Sequence, residues 1–334
     1  MNTNVIRVNF GQNSINAIPT MKPEIVKPEI IIPSGRESTF ANIGTDVSKA
    51  KSLDEALYIS GLDYDVISTD KYAYINDKKI KLPTKAVMRS TDYHFYADVS
   101  ETYSVAQNKD IFQILEPIFD DITIRKMGET QSGMVYALAS LETMSILGDI
   151  YEPYLCIQSS HNGRYSLAAT ICPLRIVCQN QFNIAFRESP NTIKARHTDK
   201  SIAKFDEKLD ILLAVSYYMK ELNKQAEKWA TQKVSNAQIV QILDELFPMD
   251  KEMKDYQLER VEEQKILLTK AYQADDNANF RNTMWGMINA YSDFITHKPQ
   301  YRTTDTATEN NFVAVTFDPK AMMNFINLLS RVAA

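Results

Sequence analysis

Apolar and polar residues alternate in short runs through the first half of the chain and recur at helical spacing through the second. Ser52-Leu-Asp-Glu55 has the spacing of a capping box and opens a short helix that Gly61 ends. β-Branched and aromatic alternation then predicts strands at 64–68 and 72–75. After Asn76-Asp77 the chain returns through Ile80, and 86–89 completes a small antiparallel sheet. Asn108 is placed to cap a helix through Phe119. A meander follows at 122–126, 134–141, 154–159 and 165–171, with turns at Gly128 and Gly133, at Gly148 and at His161-Asn162-Gly163.

Pro173 suits a first helical turn, so a helix is predicted over 173–187. Three strands leading into this helix make a β-β-β-α unit with the helix resting on the sheet. Beyond Thr198 the spacing is mostly helical: 199–229, then 235–247 capped by Ser235, 249–272 and 280–297. In the last of these, Met284, Met287, Ile288, Tyr291, Phe294 and Ile295 share an apolar side, while Trp285 and Asn289 are expected in core packing and a buried hydrogen bond. Residues 312–317 read as a short strand, and Asp318-Pro319 starts a closing helix through Arg331.

The expected fold class is α+β: an antiparallel sheet with a β-β-β-α core and a mainly helical C-terminal half. Residues 1–50 form an extended N-terminal arm, 51–198 the α+β core, and 199–334 a helical region with a short strand and closing helix. The arm holds the tandem Lys22-Pro-Glu-Ile and Lys27-Pro-Glu-Ile, whose prolines oppose helix. It reads as a linker or, given Ile25, Val26, Ile30, Ile31 and Ile32, as an arm that docks on a neighbouring subunit.

Composition changes this picture little. Hydrophobic residues make up 44% of the 334 and charged residues 24%, ordinary values for a globular protein. A net charge of −5 argues against coating nucleic acid through bulk charge. The charge is segregated, however: residues 158–200 carry six basic and two acidic side chains, and 244–263 is strongly acidic. Cys156, Cys172 and Cys178 are odd in number and lack zinc spacing, so buried free thiols in a reducing cytoplasm are expected. The first residues do not read as a cleavable signal, and no apolar run approaches the roughly 18 residues of a membrane span. A cytoplasmic protein without membrane contact is expected.

The candidate chemistry lies in the predicted helix. At about 100° per residue, Arg175, Gln179, Asn180, Asn183 and Arg187 fall within one arc of roughly 140°. Guanidinium and amide groups on one face suit phosphate or another polar polymer. Lys194, Arg196 and Lys200 extend the patch, and Arg164 and Tyr165 flank the hairpin at its edge. The candidate nucleic-acid-binding set is therefore Arg164, Tyr165, Arg175, Gln179, Asn183, Arg187, Lys194, Arg196 and Lys200. The alternative for Arg175 and Asn180 is internal, satisfying strand ends and carboxylates within a core.

No Gly-x-x-x-x-Gly-Lys loop or dinucleotide fingerprint is present. No two of the four histidines have the spacing of a helical zinc site, although His161, His197 and Glu129 leave a composite one open. No catalytic residue, metal or cofactor is assigned, and the chain reads as a binding protein rather than an enzyme.

Several runs resemble the phage- and plasmid-borne family known as domain of unknown function 932. They are Gly61-Leu-Asp-Tyr, Val87-Met-Arg-Ser, Tyr103-Ser-Val-Ala-Gln-Asn108, Gly133-Met-Val-Tyr-Ala-Leu-Ala and Ser160-His-Asn-Gly163. Pro173-Leu-Arg-Ile-Val-Cys-Gln-Asn180, Arg196-His-Thr198 and Trp285-Gly-Met-Ile-Asn-Ala290 through His297 continue the order, over roughly residues 50–298. Thr296 departs from the family, where an acidic residue is more usual. The resemblance implies a mobile-element protein without an established reaction. A second, topological likeness is to single-strand annealing proteins of the RecT and Red-beta type. Together these give an expected function: binding of single-stranded DNA and ATP-independent strand annealing or recombination by a homo-oligomer. The alternatives are a protein-binding anti-defence or regulatory factor, and a metal-dependent hydrolase.

Overall fold

Strand-forming residues fill the first half of the described chain and helix-forming residues the second. The computed structural model describes residues 43–187, 192–195, 208–297 and 305–333. The strands of the first half are β1 (Thr45–Asp46), β2 (Val66–Ile75), β3 (Lys78–Arg89), β4 (Phe95–Ser100), β5 (Thr123–Glu129) and β6 (Met134–Ser140). They continue as β7 (Met144–Ile146), β8 (Asp149–Glu152), β9 (Tyr154–Ser160), β10 (Leu167–Ile171), β11 (Leu174–Arg175), β12 (Asn180–Gln181) and β13 (Thr192–Ala195). Helices α1 (Leu53–Ser60) and α2 (Asn108–Phe112) interrupt them. After β13 come α3 (Lys208–Thr231), α4 (Asn236–Leu246), α5 (Asp255–Gln273), α6 (Met284–His297), α7 (Asp305–Phe317) and α8 (Lys320–Ala333). The class is α+β, with antiparallel sheets and a helical C-terminal half, as the pattern predicts.

The central sheet has six strands in the order β1-β5-β6-β9-β10-β13. Every residue of β6 and β10 is buried, which needs apolar or small side chains on both faces. Met134-Val-Tyr-Ala-Leu-Ala-Ser140 supplies them. Ser52 caps α1 by accepting from the Glu55 amide, and Gly61 ends it with φ 70°, a left-handed conformation suited to glycine. The β2–β3 hairpin turns on Asn76 and Asp77, both at positive φ (47° and 64°), the geometry that matches strand twist in a two-residue turn. With β4 it forms a separate three-stranded sheet.

Four expectations are corrected. No helix forms over 173–187: β11 and β12 pair as a tight hairpin, Leu174 opposite Gln181 and Arg175 opposite Asn180, and join β8 and β7 in a four-stranded sheet. The meander does lead to a long helix, but that helix is α3. Residues 312–317 are the end of α7 rather than a strand. Phe312, Val315 and Thr316 are buried at helical spacing, and Phe312 packs on Tyr136 with ring centroids 5.0 Å apart. Asn108 is not a cap; Gln107 holds that place, and buried Asn108 donates to the Leu62 carbonyl instead. Trp285 is core, stacked 5.6 Å from Phe182 and 6.1 Å from Trp229, but the buried amide of Asn289 finds no hydrogen-bond partner among the described residues.

All three cysteines are buried free thiols. Burial pushes each thiol above its ordinary value, Cys178 up to about 12. The unfolded thiols ionise near 9.0, so their contribution to stability is complete below that pH and is lost as pH rises above it. A thiol-specific disulfide reagent at pH 8 is therefore expected to titrate no cysteine in the native protein and all three in denaturant. Rapid native labelling would contradict this packing.

Candidate functional site

The predicted Arg/amide stripe does not form a surface. Arg175 is 1% exposed. Its Nε donates to Asp149 Oδ2 at 2.9 Å, its Nη1 to Asp276 Oδ2 at 3.2 Å, and its Nη2 to the Asp276 carbonyl at 2.6 Å. Burial opposes its charge, and the carboxylates of Asp149 and Asp276 offset that cost and keep the guanidinium protonated. Asn183 is also buried and donates to the Thr316 carbonyl at 2.7 Å. Arg175 and Asn183 are thus corrected from surface contacts to internal ties, because two carboxylates and a helix-end carbonyl meet them inside the fold. Asn180 takes the internal alternative too, donating to Ser292 at 2.8 Å.

The other candidates separate. Half-buried Gln179 sits at φ 55° in the hairpin turn and donates to the Ile176 carbonyl. Arg187 and Arg164 are exposed, and half-buried Tyr165 exchanges backbone hydrogen bonds with Ser160 Oγ. Lys194 lies in β13 opposite Ala168. Arg196 and Lys200 lie outside the described residues.

A basic and aromatic surface stands elsewhere, on the β2–β3 ribbon. Regular pairing sets Tyr72 opposite Lys81 and Tyr74 opposite Lys79, which places these four side chains on one face. Lys79 Nζ lies 3.9 Å from the centroid of the Tyr72 ring. Tyr74 is 72% exposed. Lys71 and Lys81 pair with Asp98 and Asp70, whereas Lys78, Lys79 and Lys85 have no ion pair among the described residues. The opposite face carries Ala73, Ile75, Ile80 and Lys78, with both isoleucines exposed. This ribbon was available to sequence reading: Tyr72-x-Tyr74 and Lys79-x-Lys81 alternate on either side of the Asn-Asp turn.

A polar network anchors the ribbon where it meets the central sheet. Arg89 closes β3; its Nη2 donates to Glu129 Oε2 at 2.6 Å and its Nε to the Tyr96 hydroxyl at 3.1 Å. Tyr64 donates to the same Glu129 oxygen at 2.8 Å, and Tyr96 donates to Tyr64 at 3.0 Å. Burial, then the Glu129 charge, raises the Tyr64 hydroxyl far above its ordinary value, so it remains a donor. Burial works against the charge of Arg89, but Tyr96 and Glu129 outweigh it. Behind the tyrosines, buried His161 shares a 2.8 Å hydrogen bond with Asn108 Oδ1. A cleft of about 410 Å³ opens beside the network, lined by Gly61, Arg89, His94, Gly128, Glu129 and Thr130 among others.

Tyr64, Arg89, Asn108 and His161 of this network come from Gly61-Leu-Asp-Tyr, Val87-Met-Arg-Ser, the run ending at Asn108, and Ser160-His-Asn-Gly, which lie far apart in sequence. A family model described as a domain of unknown function (DUF932) matches residues 96–315. The chain belongs to that family. No curated protein and no solved structure matches it. The DUF932 match takes in Tyr96, Asn108, Glu129, His161 and Arg175, whereas Tyr64, Arg89 and both strands of the ribbon precede it. Among the described residues of this DUF932 protein, no group of three His, Cys, Asp or Glu side chains is arranged to hold a metal ion, and Glu129 is engaged by Arg89 and Tyr64 rather than by His161. No described helix is long and apolar enough to cross a membrane.

Proposed function

We propose that this protein binds single-stranded DNA through the β2–β3 ribbon and promotes strand annealing without nucleotide hydrolysis, as a homo-oligomer serving a mobile element. The observation that carries the reading is the interleaved face of Tyr72, Tyr74, Lys79 and Lys81. Lysines neutralise phosphates and aromatic rings stack bases whatever the sequence, leaving base edges free to pair. The apolar opposite face, with Ile75 and Ile80, suits packing against a second copy. Arg164 and Arg187 are exposed and supply further phosphate contacts.

The test is fluorescence anisotropy with a labelled oligodeoxythymidylate at low salt, followed by annealing of complementary strands. Tyr74→Ala is expected to weaken binding roughly tenfold, from a stacking energy of about 1–3 kcal/mol. Lys79→Ala should reduce the slope of log affinity against log salt by about 0.7. Absent binding at low salt, or affinity and slope unmoved by both variants, would reject the ribbon as a DNA surface.

A further inference from the structure

Glu129 presents an unequal carboxylate. Oε2 accepts from both Arg89 and Tyr64, while Oε1 has no hydrogen-bond partner among the described residues, and the side chain is 13% exposed where it lines the cleft. A carboxylate clamped through one oxygen is pre-oriented to accept an N–H donor at the other. Beside it, Arg89 Nη1 has only a 3.4 Å contact with Asp92, itself about half exposed. An exposed pair of that length is worth little and yields readily to another anion. His94 lines the same cleft, its ring edge-on to Tyr96 at 5.1 Å, and its imidazole has no hydrogen bond among the described residues.

The cleft therefore brings a carboxylate acceptor, a guanidinium and an imidazole together at its wall. Its volume of about 410 Å³ falls within the range of small-molecule sites. A ligand that complements it carries both an uncharged N–H donor and an anionic group, which is the chemistry of a nucleotide. A free amino acid also combines N–H donors with an anion but is too small to fill the space. We infer that this cleft binds a single nucleotide, with the base N–H donated to Glu129 Oε1 and the phosphate held by Arg89 and His94. This site is separate from the ribbon and does not depend on the ribbon's binding DNA.

Isothermal titration of the full chain with the four deoxynucleoside 5′-monophosphates, the matching nucleosides, and glycine and glutamate tests the assignment. One-to-one saturable binding of at least one monophosphate is expected. Glu129→Gln, which places an amide where the free oxygen stands, should weaken that binding at least tenfold. Since Glu129 also anchors Arg89, its variant is melted alongside the parent, and exposed His94→Ala serves as an independent probe. His94→Ala should weaken the monophosphates while leaving any nucleoside affinity unchanged. No saturable nucleotide binding at millimolar concentration, binding indifferent to His94→Ala, or binding of the amino acids in place of nucleotides would overturn the inference.

Discussion

Arg175→Ala is expected to destabilise the protein by about 3–5 kcal/mol, the range for removing one partner of a buried ion pair. The side chain is almost fully enclosed. Its loss leaves Asp149 and Asp276 facing each other, each about one-fifth exposed and without their countercharge. It also empties the space between the β11–β12 hairpin and the turn preceding α6. Burial already raises the Asp149 carboxyl above its ordinary value despite Arg175, so the arginine is what makes an ionised carboxylate tolerable there. Chemical denaturation checks the figure. A triple variant, Arg175→Met with Asp149→Asn and Asp276→Asn, should recover much of the loss, because exchanging a whole buried ionic group is far milder than orphaning part of it. A midpoint unchanged in Arg175→Ala would show that the network contributes nothing. Any fall in DNA affinity in this variant is then to be read through the fold, not as a lost phosphate contact.

The same arginine shows where sequence reasoning reached its limit. Its partners lie 26 and 101 residues away, and no local pattern announces them. Pro173, the amides and the apolar residues between them satisfy a helical reading as well as a hairpin one. What decides is Gln179 at positive φ and the pairing of Arg175 with Tyr151 on β8, both consequences of tertiary structure. Residues 312–317 fail in the opposite direction: alternation of β-branched and aromatic residues is strand-like, yet burial at 312, 315 and 316 is helical. By contrast, α1 with both its caps, the Asn76-Asp77 turn and the strands of the meander were legible, because each is specified by contiguous residues. The two proposed binding sites divide in the same way. The ribbon was readable from alternation, whereas the cleft brings Gly61, Arg89, His94 and Glu129 together only after folding.

Gly286→Ala is expected to lower stability by about 2–3 kcal/mol, against the roughly 1 kcal/mol gain that helix propensity alone assigns to this change. Gly286 lies in the first turn of α6, within the Trp-Gly-Met-Ile-Asn-Ala run. A Cβ there would run into the Phe280 carbonyl oxygen and stand 2.8 Å from its carbon. That carbonyl cannot simply withdraw. It accepts from Thr283 Oγ1 at 2.6 Å, and Thr283 in turn accepts from the Gly286 amide at 3.1 Å. Asn277 holds the Gly286 carbonyl at 3.0 Å from the other side. The glycine is therefore demanded by close approach of backbone to backbone, at a negative φ where any residue is conformationally allowed. Sterics and propensity predict opposite signs, so a thermal melt separates them. A fall of roughly 3–4 °C follows from the steric argument for a chain of this size, at about 1.4 °C per kcal/mol. A melting temperature equal to or above the parent's would mean that the turn before α6 gives way easily. The packing of Trp285 between Phe182 and Trp229, which that turn positions, would then need another explanation.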